Sequence, residues 1–148
     1  MRVEERLEEL GLDLLPPAPG NNKVAAAVRV GHLVFTSAHP SDERGKLGQE
    51  VSHARGYQVA QDATVCCLSS IRTLIGDLDA ITRVVKVTGY INTAPGFTDY
   101  TQVMHGVTEL LLDVFGEDIG SHARSCVGVS ELTDNATIEI EMIVEVAE

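Results

Sequence analysis

Apolar residues recur at helical spacing near the N-terminus, at Val3, Leu7 and Leu10, and Gly11 follows as a stop signal. This predicts a short helix, an extension occupying residues 1–15. Pro16, Pro17 and Pro19 each fix their own φ and restrict the residue before them, so an extended stretch is expected there, then a turn at Gly20-Asn21-Asn22. Residues 24–30 and 33–38 are β-branched and aliphatic, and the two-residue link Gly31-His32 between them predicts a β-hairpin. The polar, glycine-rich stretch 41–48 reads as a loop. From His53 to Ile75 the period becomes helical, with Val59, Ala60, Ala63, Cys67, Leu68, Ile71, Leu74 and Ile75 on one stripe and Gly76-Asp77 at its end. A strand is expected over 82–92, broken by Pro95-Gly96. A second amphipathic helix is expected from Phe97 to Phe115, with Tyr100, Val103, Met104, Val107, Leu110, Leu111 and Val114 inward and Gly116 as its cap. Strands over 122–130 and 136–146 follow, joined by a polar turn around Thr133-Asp134-Asn135.

This order predicts an α+β sandwich: one domain over residues 1–148, a mixed sheet with two long helices on one face, and an antiparallel strand pair at each end of the chain. Alternation then assigns faces. Ile138, Ile140, Met142, Val144 and Val146 form an apolar row, opposite Thr137, Glu139 and Glu141. In the preceding strand Ala123, Ser125, Val127 and Val129 share one side, and Arg124, Cys126, Gly128 and Ser130 the other. Val85, Val87 and Ile91 likewise oppose Lys86, Thr88 and Tyr90. If every apolar row faces the helices, Arg124 and Cys126 lie on the open face with Glu139, Thr88 and Tyr90. Such a face is either solvated or covered by another subunit with a polar pocket left in the contact. In that pocket Arg124 could grip a ligand carboxylate with its planar fork.

Composition narrows the function classes. The chain has 148 residues, 44% hydrophobic and 22% charged, enough for a core and unlike a disordered or coiled-coil chain. No aliphatic run approaches the ~20 residues of a membrane helix. The net charge is −11, and aromatic residues make up 4% with no Trp, which disfavours phosphate backbones and base stacking. Nucleic acid and membrane are therefore not expected as partners. Three cysteines, two of them adjacent, make no disulfide framework and fit reduced thiols in the cytoplasm. Cys66-Cys67 reads as core filling. The five histidines show no zinc spacing, and no dinucleotide, phosphate-loop or nucleophile-elbow motif occurs.

The segment His-Ala-Arg-Ser-Cys-Val-Gly-Val at 122–129, followed by Ile-Glu-Ile-Glu at 138–141, resembles the signature of the RidA/YjgF family of enamine/imine deaminases. Phe35-Thr36-Ser37, Gly76-Asp77-Leu78 and Val84-Val85-Lys86-Val87 also fit that pattern. The resemblance implies a chorismate-mutase-like fold and a homotrimer with sites in the clefts between subunits. It implies hydrolysis of reactive 2-imino acids to 2-keto acids and ammonia, with no metal and no organic cofactor. Arg124 would grip the substrate carboxylate, Glu139 would place or activate water, and backbone near Ala38 and Cys126 would touch substrate. The sequence departs from the family at Asn21-Asn22-Lys23, at Ala38-His39 and at His122, which replaces the usual Pro. Neither His39 nor His122 inherits a role by resemblance, so both are expected to tolerate change better than Arg124. A non-catalytic small-molecule-binding or regulatory trimer of the same fold is the other class left open.

Overall fold

The structure is a computed structural model in which residues 2–15 and 23–148 are described. In chain order the elements are α1 (Arg2–Glu9), β1 (Ala27–Val30), β2 (Leu33–Thr36), β3 (His39–Pro40), α2 (His53–Ile75), β4 (Ile81–Asn92), α3 (Tyr100–Gly120), β5 (Ala123–Val129) and β6 (Ile138–Val146). The fold is α+β, with α2 and α3 packed against one face of a mixed sheet. The prolines and the turn expected over residues 16–22 lie outside the described residues.

The sheet order is β1-β2-β6-β4-β5, with β3 also paired to β6. Gly31-His32 closes the β1–β2 hairpin between Val30 and Leu33 as expected. The C-terminal strands depart from expectation. β5 and β6 are not neighbours: β4 lies between them, parallel to β5 and antiparallel to β6. The physical reason is that α3 and the turn after it return the chain to the starting end of β4, where only a parallel strand can add. β5 therefore forms an edge.

The apolar row of β6 is buried as expected, with Ile138, Ile140 and Val144 fully enclosed. On α2 the stripe holds through Ile71, but Leu74 is exposed in the last turn. The helix starts at Ser52, whose hydroxyl accepts from the Arg55 amide at 3.2 Å. Cys67 fills core and donates to the Ile140 carbonyl at 3.0 Å, whereas Cys66 is exposed rather than core. α3 begins at Tyr100 instead of Phe97, and Gly116 interrupts it with φ 79° before the chain turns on to Gly120. Phe97 remains outside the helix, edge-on to His53.

α1 docks by burying Val3 and Leu7. Asp79 accepts from the Arg2 and Val3 amides at 2.8 and 3.0 Å, capping α1 from a distant part of the chain. Arg6 grips Asp113 of α3 with two donors, at 2.7 and 3.1 Å. The packing of α2 on α3 is closest at Gly106, where a Cβ would lie 2.2 Å from the Tyr57 carbonyl oxygen.

That contact sets a test in which two effects have opposite signs. Helix propensity alone makes Gly106→Ala stabilising by about 1 kcal/mol. The clash is with backbone, so neither partner can rotate away, and overpacking of this kind costs about 1–3 kcal/mol. Urea denaturation is expected to show Gly106→Ala less stable than the wild type.

Candidate functional site

β5 is placed against β4 with Arg124 opposite Val87, Cys126 opposite Gly89 and Gly128 opposite Ile91. Val87, Gly89 and Ile91 face the helices, and residues paired across adjacent strands point to the same side. Arg124, Cys126 and Gly128 therefore lie on the helix-covered face, not on the open one. Val84 also faces the core and is fully buried. A register shift between Val84 and Lys86 in the β4–β6 ladder breaks strict alternation, so Val85 is exposed instead of inward. The expected faces of β5 are thus reversed. An edge strand lies under the margin of the helical layer, where polar groups on α3 can meet it, while Val127 stands 48% exposed on the open side.

α3 supplies what Arg124 meets. Arg124 Nη1 donates to Thr108 Oγ1 at 2.9 Å. Thr108 Oγ1 lies 3.0 Å from His122 Nε2, and His122 Nδ1 lies 2.6 Å from the Gly120 carbonyl oxygen. A carbonyl only accepts, so Nδ1 carries the proton and Nε2 offers a lone pair to the Thr108 hydroxyl. The hydroxyl proton then points to His122 and the oxygen's lone pairs to Arg124. Burial lowers the His122 pKa below that of a free imidazole, and the nearby Arg124 and Arg83 cations lower it further, against the opposing pull of the Gly120 carbonyl. Among the described residues this is the one hydrogen bond of the Arg124 guanidinium, and no carboxylate forms an ion pair with it. The same row carries Cys126 and then Gly128, where a Cβ would stand 2.1 Å from Tyr100 Oη. Burial pushes the Cys126 thiol up to about 11, although Arg124 pulls it down.

Glu139 lies elsewhere. It sits on the open face, opposite Tyr90 of β4 and Pro40 of β3. Burial raises its pKa. Next to it Tyr90 Oη donates to Glu141. Ala38 follows β2 and precedes β3, on the far side of β6 from β5. β5 and β6 are two strand spacings apart, ~10 Å. Within one chain the residues singled out from the sequence therefore form two groups. Arg124 and Cys126 share the helix side of an edge, and Glu139 and Ala38 sit across the sheet.

His39 is half-buried, with Nε2 3.2 Å from the Ala26 carbonyl oxygen and 3.0 Å from Ser70 Oγ. Burial lowers its pKa. Thr108 is the residue that sequence reading missed. Its one signal is position: it follows Met104 by one helical turn, so a hydroxyl occupies the sheet-facing side of α3. Among the described residues no group of three His, Cys, Asp or Glu side chains is placed to hold a metal ion, and no helix is long and apolar enough to cross a membrane.

The open face is strongly apolar at its β1–β2 end. Val28 and Phe35 pair across the hairpin, as do Val30 and Leu33, and the four are 37–64% exposed.

Comparison with known proteins places this arrangement. The family model described as Endoribonuclease L-PSP matches residues 16–146, so α1 precedes the matched region. Protein TCP17 of Trypanosoma cruzi is 33% identical over 150 residues, covering 97% of this chain and 94% of that protein. A crystal structure of a protein of unknown function from Agrobacterium tumefaciens is 34% identical with a TM-score of 0.89, covering 99% of this chain and 94% of that one. TdcF of E. coli, solved with bound serine, shares the fold at 22% identity and a TM-score of 0.58, covering 89% and 93% of the two chains.

The thiol environment gives a direct check. With a pKa of about 11, roughly a thousandth of Cys126 is thiolate at pH 8, and only the thiolate is alkylated readily. Site-resolved mass spectrometry after iodoacetamide treatment is expected to show Cys126 labelling slowly at pH 8, with a rate that rises about tenfold per pH unit toward pH 10.

Proposed function

The chain belongs to the Endoribonuclease L-PSP family, also known as RidA/YjgF, and from that premise we propose that it hydrolyses small 2-imino acids to 2-keto acids and ammonia. The observation that carries this reading is Arg124, a guanidinium at the sheet edge with a single hydrogen bond, to Thr108. Its remaining donors suit the carboxylate of a small metabolite, held in a planar fork. Serine, the ligand bound to TdcF, is a molecule of that class.

A 2-imino acid has its carboxylate next to an electrophilic C=N carbon, so fixing the first aims the second. Water adds to that carbon to give a carbinolamine. The amine then takes up a proton, the C–N bond breaks, and ammonia leaves with the keto acid behind. Glu139 orients the water and passes the protons, a task that a carboxyl with a raised pKa suits better than an ordinary one. The backbone near Ala38 and Cys126 lines the substrate. Neither metal nor organic cofactor enters this scheme, which requires water, a proton shuttle and charge stabilisation. The free cysteines support a cytoplasmic location for this activity.

The separation of Arg124 from Glu139 within one chain supports a site completed between copies, and the exposed row of Val28, Val30, Leu33 and Phe35 supports burial of the open face in a homotrimer. A non-catalytic metabolite-binding trimer is the outcome if the assembled wild type binds but does not turn over. The −11 net charge argues against a nucleic-acid substrate.

Two measurements test this. Light scattering is expected to give a mass of about 48 kDa, three times the 15.9 kDa of one chain, and Phe35→Asp is expected to give monomer; a monomeric wild type at micromolar concentration overturns the assembly. Hydrolysis of freshly generated 2-iminobutyrate is expected to fall about thirtyfold to several-thousandfold in Arg124→Ala, the ~2–5 kcal/mol of an unpaired buried charge. Arg124→Lys should fail as well, because one ammonium does not reproduce the fork. The wild-type rate should drop as pH falls through the raised Glu139 pKa, a limb that Glu139→Gln abolishes along with most of the rate. An assembled Arg124→Ala protein with the full rate removes the site.

A further inference from the structure

We propose that Thr108 and His122 are positioning residues for Arg124: a neutral imidazole accepts a hydrogen bond from the Thr108 hydroxyl, so that the hydroxyl oxygen holds the guanidinium in the orientation that receives a carboxylate. The proposal rests on the reading of Arg124 given above and adds to it two residues and a dependence on pH.

The argument is geometric. A guanidinium on an edge strand has no strand beyond it to pack on, and a long side chain loses its many rotamers only if something holds it. Thr108 does so at 2.9 Å. A hydroxyl can be donor or acceptor, and toward Arg124, which has donors only, it must accept. His122 makes that choice for it. Its Nδ1 is committed to the Gly120 carbonyl at 2.6 Å, so Nε2 is bare and accepts from Thr108 Oγ1 at 3.0 Å. The direction of every proton in the chain Gly120–His122–Thr108–Arg124 follows from the one group that cannot donate.

Protonation reverses the choice. With a proton on Nε2 the imidazole becomes a second donor aimed at the same hydroxyl oxygen, and a cation stands one hydroxyl away from the guanidinium. Among the described residues the charged groups that shift His122 are Arg124 on β5 and Arg83 on β4, both cations. Arg83 is itself held at the turn, donating through Nε to the Ser121 carbonyl at 2.8 Å. The imidazolium is thus disfavoured in the folded protein, and when it forms it displaces Arg124 from its acceptor. Carboxylate affinity is therefore expected to fall as the solution is acidified through the His122 pKa.

The test compares wild type, Thr108→Val, Thr108→Ser, His122→Gln and Arg124→Ala, each checked for native circular dichroism and assembly. The readouts are 2-iminobutyrate hydrolysis and calorimetric binding of 2-oxobutyrate between pH 4.5 and 8, a range extended to the acid side of the ~6.5 of a free imidazole because burial lowers His122. Thr108→Val is expected to lose about ten- to a hundredfold in kcat/KM, mainly through KM, the scale of one hydrogen bond to a charged group. Thr108→Ser should restore it to within about threefold, since the hydroxyl returns. Wild-type KM and Kd should rise toward acid, and that rise should vanish in Thr108→Val and His122→Gln. Nitrogen-15 NMR should show His122 protonated on Nδ1 and bare on Nε2 at pH 8. A folded Thr108→Val with wild-type affinity at every pH, while Arg124→Ala loses it, overturns the positioning role and leaves the reading of Arg124 standing. An Nε2-protonated tautomer, or affinity that tightens toward acid, overturns it too. Arg124→Ala equal to wild type in both hydrolysis and binding overturns the reading and the positioning role together. A wild type that neither hydrolyses nor binds overturns the functional reading, and the tautomer then decides the relay alone.

Discussion

The low seat of α3 against its neighbours is the constraint on which the remaining geometry depends. Three interfaces of this helix are built at glycine. Gly106 lets its backbone meet the Tyr57 carbonyl of α2, and Gly128 of β5 makes room for the Tyr100 hydroxyl. Gly89 of β4 does the same for Met104. A side chain at Gly106 meets backbone at 2.2 Å and would push the helix outward by about 1 Å to reach ordinary contact, and one at Gly128 would displace the tyrosine hydroxyl. Thr108 would then stand too far from β5 to touch Arg124, because N–H···O contacts weaken quickly beyond about 3.2 Å. Packing and chemistry are thus set by the same small residues, and the docking of Arg6 on Asp113 ties the far face of α3 to α1.

Much of this was legible in the sequence, for definite reasons. The bounds of α2 follow from the helical period that opens at His53 and from Gly76-Asp77 after Ile75. The hairpin follows from Gly31-His32, and β6 follows from an apolar residue at every second position from Ile138 to Val146. The pairing partner of β5 was not legible. Alternation states which residues share a face but not which face it is, and the rule that apolar rows point to the helices fails for Val127. That valine stands on the open face opposite Tyr90, and its type alone does not distinguish that face from the core. The bulge near Val85 was hidden for a similar reason, since an extra residue in a ladder leaves no mark in a run of valines. Arg124 and Glu139 were found through motif resemblance, while Thr108 carries no motif and is visible only once α3 is laid on β5.

The sheet therefore serves as a partition rather than a platform. Its helix side carries a guanidinium hydrogen-bonded to a threonine that a histidine also touches, and its open side carries carboxyls, a tyrosine and a band of aliphatic surface. Groups that would neutralise one another if adjacent are kept apart by a layer of backbone. Arg124 stays free of Glu139 without any element of the fold having to be unstable, and the guanidinium retains donors for an outside anion.

The position of β5 at the margin has a consequence for solubility. A seven-residue edge presents a row of unpaired amides and carbonyls, the surface along which sheets from different molecules join indiscriminately. Here that strand carries a guanidinium turned inward beneath the helical layer. A foreign strand laid alongside would have to bury the charge or eject it, and either is unfavourable. The inward-turned guanidinium thereby guards the chain against stacking into fibrils, so its loss would leave the edge open to aggregation.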